Sequence, residues 1–397
     1  MASPGRRCNR NPNRTAEMRA TSSALHSRGD AGRVVDEGAW RAMGAATGGH
    51  RRRKPALSPG RRRAGRRRTV LVLLVLAAAV GTATAASTGP TVAPGAREPF
   101  APVRAPGNLD PAKVALGEAL FSDPILSSMN KLSCNSCHVL SAGGTVNMKR
   151  TVGYQGRTHR FNAPTIFNVG SNYRLGWRGD FTSLEEQNER VLLDDNLMGA
   201  RWPVIIGRLE ASETYALQFA QAYGHPPDRN SVLDALATFQ RSLATPNSAF
   251  DRYLDGDLSA LGSEELKGYR LFRDYGCASC HQGSNLGGNL FQKFGIYAHP
   301  APVDSESDGD LGRYTLTGRE QDKGVFRVPG LRNVAVTAPY LHDGRIATLP
   351  EVVAIMGESQ LGRQLSPADI QSLVAFLQTL TGEYDGKKLQ ALPDKDD

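Results

Sequence analysis

The sequence predicts an all-α protein made of two small helical domains in tandem. Three observations carry this. The pattern Cys-x-x-Cys-His occurs twice, at Cys134–His138 and Cys277–His281. Each copy follows the same string, Gly-x-x-Leu-Phe, at Gly117–Phe121 and Gly268–Phe272. Each copy also precedes an apolar i, i+3, i+7 stripe: Leu236, Phe239 and Leu243 in one half, Leu373, Phe376 and Leu380 in the other. Such spacing turns one face of a helix inward, and no sustained alternation argues for a sheet.

The chain has 397 residues, enough for two or three domains at ~150 residues each. Its net charge of +9 is unevenly spread. Residues 1–68 hold 18 Lys and Arg against 4 Asp and Glu, whereas the chain beyond the apolar run holds 30 against 35. The body is therefore mildly acidic, which speaks against a nucleic-acid partner. Val70–Val80 is purely apolar, preceded by Arg66-Arg67-Arg68 and followed by Ala83-Thr84-Ala85. A basic stretch, a short apolar core and an A-x-A site describe an export signal, with cleavage expected after Ala85. The run is short for a bilayer span of ~20 residues; the competing reading is an uncleaved N-terminal anchor. The expected organisation is a basic leader with signal (1–85), a Pro- and Gly-rich linker (86–108), two domains (109–245 and 246–382) and a polar tail (383–397). Asp110-Pro111 and Ser263 are helix-opening signals for the two domains.

Of five cysteines, Cys8 falls in the leader and four form the two Cys-x-x-Cys-His sets. This is the attachment pattern of a c-type haem. Each thiol adds to one vinyl group, the two-residue gap sets the reach, and the adjacent His supplies the proximal nitrogen to iron. Three other readings compete. A four-cysteine zinc site would have to bridge the 139 residues between the pairs, far beyond the usual gap of ~15–20. A redox dithiol has no need of His after both pairs. A disulfide across two residues is strained. Two covalent haems, at Cys134, Cys137, His138 and at Cys277, Cys280, His281, are the expectation.

A haem that only carries electrons keeps both axial positions filled, and a Met sulfur raises its potential. Met356, 75 residues after His281, is the candidate; taken alone it reads equally as core filler. A haem that does chemistry needs a displaceable sixth position and groups that move protons. His159, 21 residues after His138, is the candidate distal group there; its bland reading is an exposed basic loop.

The strings LSCNSCHVLSAGG, NAPTIFN, GCASCHQGSNLGG, VPGLRNVAVTAPYLHDG and VVAIMGESQLG resemble the bacterial di-haem cytochrome c peroxidases, over about Leu109 to Gly382. The resemblance implies two all-α cytochrome c-like domains with calcium between them. The C-terminal haem would accept electrons from a small soluble cytochrome c or cupredoxin. The N-terminal haem would reduce hydrogen peroxide to water, in the periplasm. His281 and Met356 match the axial pair of the electron-accepting haem, and His138 the proximal ligand of the peroxidatic one. Trp177 matches the tryptophan between the haems, Gln187 an active-site glutamine and His342 a histidine in a loop near the haems. Asn162, Thr337 and Pro339 match calcium positions, the last two through backbone carbonyls, and oxygen donors suit that hard cation. Homodimers occur in the family.

The sequence departs from the family pattern at three places. Tyr154 stands where the usual distal His is expected, so either His159 substitutes or the iron is uncapped by His. Leu197 stands at the distal glutamate position and cannot move a proton; Asp195 is the nearest acid. Arg178-Gly179-Asp180 replaces Asp-Gly-Arg after Trp177. Two other functions therefore compete with peroxidase: a di-haem oxidase that modifies a partner protein, and an electron-transfer cytochrome without turnover.

Overall fold

The computed structural model describes residues 98–298 and 309–392. The export segment, its cleavage site and Cys8 lie outside them. No helix among the described residues is long and apolar enough to cross a membrane.

The first half runs α1 (Pro111–Ser122), α2 (Leu184–Leu193), α3 (Trp202–Glu210), α4 (Glu213–Tyr223) and α5 (Arg229–Ser242). The second runs α6 (Ala249–Leu254), α7 (Ser263–Asp274), α8 (Tyr314–Thr317), α9 (Leu349–Leu361) and α10 (Pro367–Gln378). Local chemistry sets their ends. Asp110 caps α1 by accepting from the Ala112 N–H at 2.9 Å, with Pro111 at the position where its missing N–H costs nothing. Thr348 opens α9, and Gly362, at φ 60°, closes it. Two short antiparallel ribbons depart from the all-helical expectation. Strand β1 (Phe291–Lys293) pairs with β2 (Val325–Arg327), placing Phe291 opposite Arg327. Strand β3 (Glu383–Tyr384) pairs with β4 (Lys387–Lys388).

Each half is organised by one helix crossing, and both crossings use the same residues. In the first, α1 meets α5 at Gly117, where a Cβ would collide with the Ala235 carbonyl. In the second, α7 meets α10 at Gly268, where it would collide with the Ser372 carbonyl. Beside each glycine a phenylalanine pair packs: Phe121 on Phe239 with centroids 5.3 Å apart, Phe272 on Phe376 at 5.2 Å. All six residues of the two apolar stripes are buried. The Gly-x-x-Leu-Phe string and the stripe are thus the two sides of a single contact.

A second repeat emerges from the fold. Phe161–Asn168 (FNAPTIFN) and Phe326–Asn333 (FRVPGLRN) occupy equivalent places. Asn168 (φ 59°) and Asn333 (φ 65°) are both left-handed and both precede a 3-10 turn. Their backbone N–H groups donate to the last stripe residues, Leu243 at 2.8 Å and Leu380 at 3.1 Å.

The ends of the described chain cross over. Phe100 and Val103, inside the span read as a linker, are buried. Phe100 packs on Phe250, Tyr269 and Phe272 of the second half. Glu98 accepts from Tyr269 and Arg273. At the other end, in the span read as a polar tail, Leu389 is buried in the first half's core. Tyr384 lies 5.0 Å from Phe167 there.

Candidate functional site

Each Cys-x-x-Cys-His set begins on one 3-10 turn, Cys134–Ser136 and Cys277–Ser279. The backbone N–H of His138 donates to the Cys134 carbonyl and that of His281 to the Cys277 carbonyl, both at 3.0 Å. The tight turn brings each imidazole back beside its thiols. The rings are oriented identically. His138 Nδ1 lies 3.1 Å from the Gly144 carbonyl, and His281 Nδ1 lies 3.1 Å from the Leu286 carbonyl. A carbonyl only accepts, so Nδ1 carries the proton and Nε2 is left as a lone-pair donor. This is how proteins orient a metal-ligating imidazole. Burial holds both rings neutral, pushing the His281 pKa down to about 4 and that of His138 below its ordinary value.

His281, Cys277 and Cys280 line a cavity of about 420 Å³, and Met356 lines the same cavity from α9. Leu349, Val353, Leu373 and Leu377 supply apolar walls. Paired thiols, a neutral imidazole, a thioether and apolar walls together fit a covalent haem with nitrogen and sulfur axial ligands. Around His138 the paired thiols and the imidazole recur, and Cys134 packs against the first half's core.

The cavity extends to the seam between the halves, where Asn162, Trp177, Thr337, Pro339 and His342 also line it. Trp177 sits in a turn closed by backbone bonds between Leu175 and Phe181, 3.1 and 3.3 Å. Both halves grip this turn. Its indole N–H donates to the Asn162 carbonyl at 2.9 Å. Three successive carbonyls of the turn accept from the second half: Gly176 from Arg327 Nε at 2.9 Å, Trp177 from the Arg327 N–H at 2.9 Å, and Arg178 from Arg313 Nη1 at 3.0 Å. Asn162 and Arg327 are equivalent positions of the Phe–Asn repeat, so Trp177 lies between the two copies. His342 stacks on Phe326 at 4.4 Å and meets Trp177 edge-on at 6.4 Å. Its Nε2 is 2.8 Å from Asp310. Burial lowers its pKa against the pull of Asp343 and Asp310.

The Asn162 side-chain amide donates to the Met148 carbonyl at 2.9 Å and the Lys149 carbonyl at 3.4 Å, leaving Oδ1 as its acceptor atom. Among the described residues no group of three or more His, Cys, Asp or Glu is arranged for a metal. An amide-and-carbonyl site of the expected kind has no need of one.

The distal elements are placed as follows. Two departures from the family pattern touch: the Tyr154 N–H donates to the Leu197 carbonyl at 2.6 Å, and the Tyr154 ring lies against Gly199. His159 Nδ1 accepts from the Phe161 N–H at 3.2 Å, and burial lowers its pKa. Gln187 is half-buried on α2. Asp195 is drawn outward into an ion pair with Arg201 at 2.9 Å, with both side chains more than half exposed. The altered triplet after Trp177 makes its own ion pair, Arg178 to Asp180, largely out of water. Sequence reasoning does not single out Arg313, Arg327 or Thr245. The available signal is the register of FNAPTIFN against FRVPGLRN, which sets Arg327 opposite Asn162.

Comparison with known proteins follows the same division. Residues 111–259 match the family described as di-haem cytochrome c peroxidase, and residues 266–381 match cytochrome c. A cytochrome c551 peroxidase of Nitrosomonas europaea is 39% identical over 303 residues, covering 75% of this chain and 88% of that protein. The cytochrome c peroxidase Ccp of Escherichia coli is 40% identical over 288 residues, covering 72% and 62%. A solved MauG-like protein associated with microbial copper homeostasis aligns with a TM-score of 0.63 at 30% identity, covering 71% of this chain and 93% of that one.

Proposed function

The chain belongs to the di-haem cytochrome c peroxidase family, and from that premise we propose that it reduces hydrogen peroxide to two waters with two electrons and two protons. The observation that carries this reading is the unequal pair of histidines: both present Nε2, and His281 shares its cavity with a thioether. His281 and Met356 would hold a haem that supplies one-electron chemistry, and His138 would hold one that supplies an iron accessible to peroxide.

The chain's own residues supply the rest. Cys134, Cys137, Cys277 and Cys280 fix the rings covalently. Trp177, held from both halves, is an oxidisable side chain between them. Gln187 orients peroxide on the distal side of His138. Asp195 delivers protons there once its pair with Arg201 opens, or water does so in its place. The contact of Tyr154 with Leu197 and Gly199 favours a distal face from which a His ligand is absent, with His159 as the alternative cap. Asn162, Thr337 and Pro339 would hold calcium at the seam. A small soluble cytochrome c or cupredoxin is the donor, and export carries the protein to the periplasm.

Mass spectrometry of the exported protein is expected to find two covalent haems. Peroxide consumption is then followed with reduced cytochrome c as donor. Absence of turnover, even after half-reduction, would reject peroxidase activity.

A further inference from the structure

Arg327, which grips the Trp177 turn from the second half, has a buried donor left over. It is only 5% exposed. Its backbone N–H and Nε are committed to the Trp177 and Gly176 carbonyls, yet Nη1 is buried with no hydrogen-bond partner among the described residues. A buried donor without a partner is destabilising, and more so when it is charged. Arg327 also lines the cavity that holds Cys277, Cys280, His281 and Met356. Burial pulls its pKa down to about 10 against the attraction of Asp180. Asp180 does not neutralise it fully, because that carboxylate is paired with Arg178. The other buried arginine on this wall, Arg332, has its own carboxylate, Asp251, at 2.8 Å. Arg327 therefore places an incompletely balanced cation in an otherwise largely apolar chamber.

Building on the two-haem reading, we infer that Arg327 is the counter-charge for a carboxylate side chain of the haem attached at Cys277 and Cys280, with Nη1 as the donor. A planar guanidinium is suited to a carboxylate, and a haem brings two. The same guanidinium holds the Gly176 carbonyl. Arg327 is thus a positioning residue that joins the periphery of the electron-accepting haem to the turn carrying Trp177. The first half has Asn162 at the equivalent position, a neutral side chain, so the two haems differ in electrostatic environment as well as in axial ligand. A fixed cation beside the ring favours the reduced form, which carries one fewer positive charge.

The test is an optical redox titration of the full haem-loaded protein, following each haem separately in wild type, Arg327→Gln, Arg327→Met and Arg327→Lys. Either neutral variant is expected to make the His281/Met356 haem harder to reduce by tenfold or more in its equilibrium constant, about 59 mV for one electron. The His138 haem should move less, and Arg327→Lys should recover at least half of the shift. The inference is overturned if a folded neutral variant with intact sulfur ligation stays within twofold of wild type. It is equally overturned if Arg327→Lys shifts the potential as far as the neutral variants do. If both neutral variants fail to fold, Arg327→Lys decides alone: a potential nearer to that of the His138 haem overturns the inference, and one within threefold of wild type supports it. The two-haem reading fails on a different result, a wild-type mass with fewer than two haems.

Discussion

Asn168 and Asn333 share one hydroxyl. The side-chain amide of Asn168 donates to Thr245 Oγ1 at 2.8 Å and that of Asn333 donates to the same oxygen at 3.0 Å. Both asparagines are the last residue of the Phe–Asn repeat, so the two copies converge on a single threonine at the end of the first domain. Asn168 Oδ1 accepts in turn from the Thr245 N–H at 2.9 Å, and Asn333 Oδ1 from the Gly382 N–H at 3.0 Å. The knot is buried.

Thr245→Val removes the shared acceptor while preserving shape. Two buried amides then lose a partner, at about 1–3 kcal/mol each. Denaturant unfolding should show a loss of about 2–6 kcal/mol by that arithmetic, with the secondary structure seen by circular dichroism unchanged. A loss below about 0.5 kcal/mol, the range of ordinary surface changes, would mean that the knot carries little.

Helix crossings make a paired prediction. Gly117→Ala and Gly268→Ala each drive a methyl into a carbonyl of the facing helix, and overpacking of this kind costs about 1–3 kcal/mol. Gly207→Ala in α3 meets nothing within 4 Å and should be neutral or stabilising by about 0.5–1 kcal/mol through helix propensity. Thermal melts of the three variants check the contrast.

Trp177→Phe retains an aromatic ring but discards the N–H to the Asn162 carbonyl and the oxidisable indole. Peroxide turnover should fall roughly tenfold, equivalent to about 1.4 kcal/mol on the barrier. The absorption spectra of both haems should stay as they are. A variant with undiminished turnover would place electron transfer on another route.

Calcium removal tests the seam. With calcium a hundredfold above its Kd, a bound ion stabilises the fold by about 2.7 kcal/mol. A chelator should therefore lower the melting temperature and the turnover together, and Asn162→Ala should reproduce the loss in calcium-containing buffer. A chelator without effect on either measurement would remove calcium from the proposed function.

Much of this architecture is written locally. The Cys-x-x-Cys-His sets, Gly117 and Gly268, and the two apolar stripes are short-range patterns, because a turn, a close helix approach and a buried helix face each impose a spacing on neighbouring residues. Contacts made across the chain leave no such trace. Phe100 sits in a Pro- and Ala-rich stretch, and one buried aromatic there does not create a period. The outward pairing of Asp195 with Arg201 depends on how the loop after α2 folds, which its sequence neighbours do not specify. Arg327 is an intermediate case, since the repeat that sets it against Asn162 is present in the sequence, although the free Nη1 appears only once the Trp177 turn is in place.

The exchange of chain ends bears on how the molecule is made. During synthesis Phe100 leaves the ribosome long before Phe250, Tyr269 and Phe272 exist to receive it, while Tyr384 and Leu389 arrive late to finish a core begun hundreds of residues earlier. The first lobe cannot be completed until Leu389 is out, and the second cannot take up Phe100 until its own helices have formed. Severing the chain between α5 and α6 would accordingly yield two fragments, each missing a plug that the other carries, instead of two autonomous cytochromes.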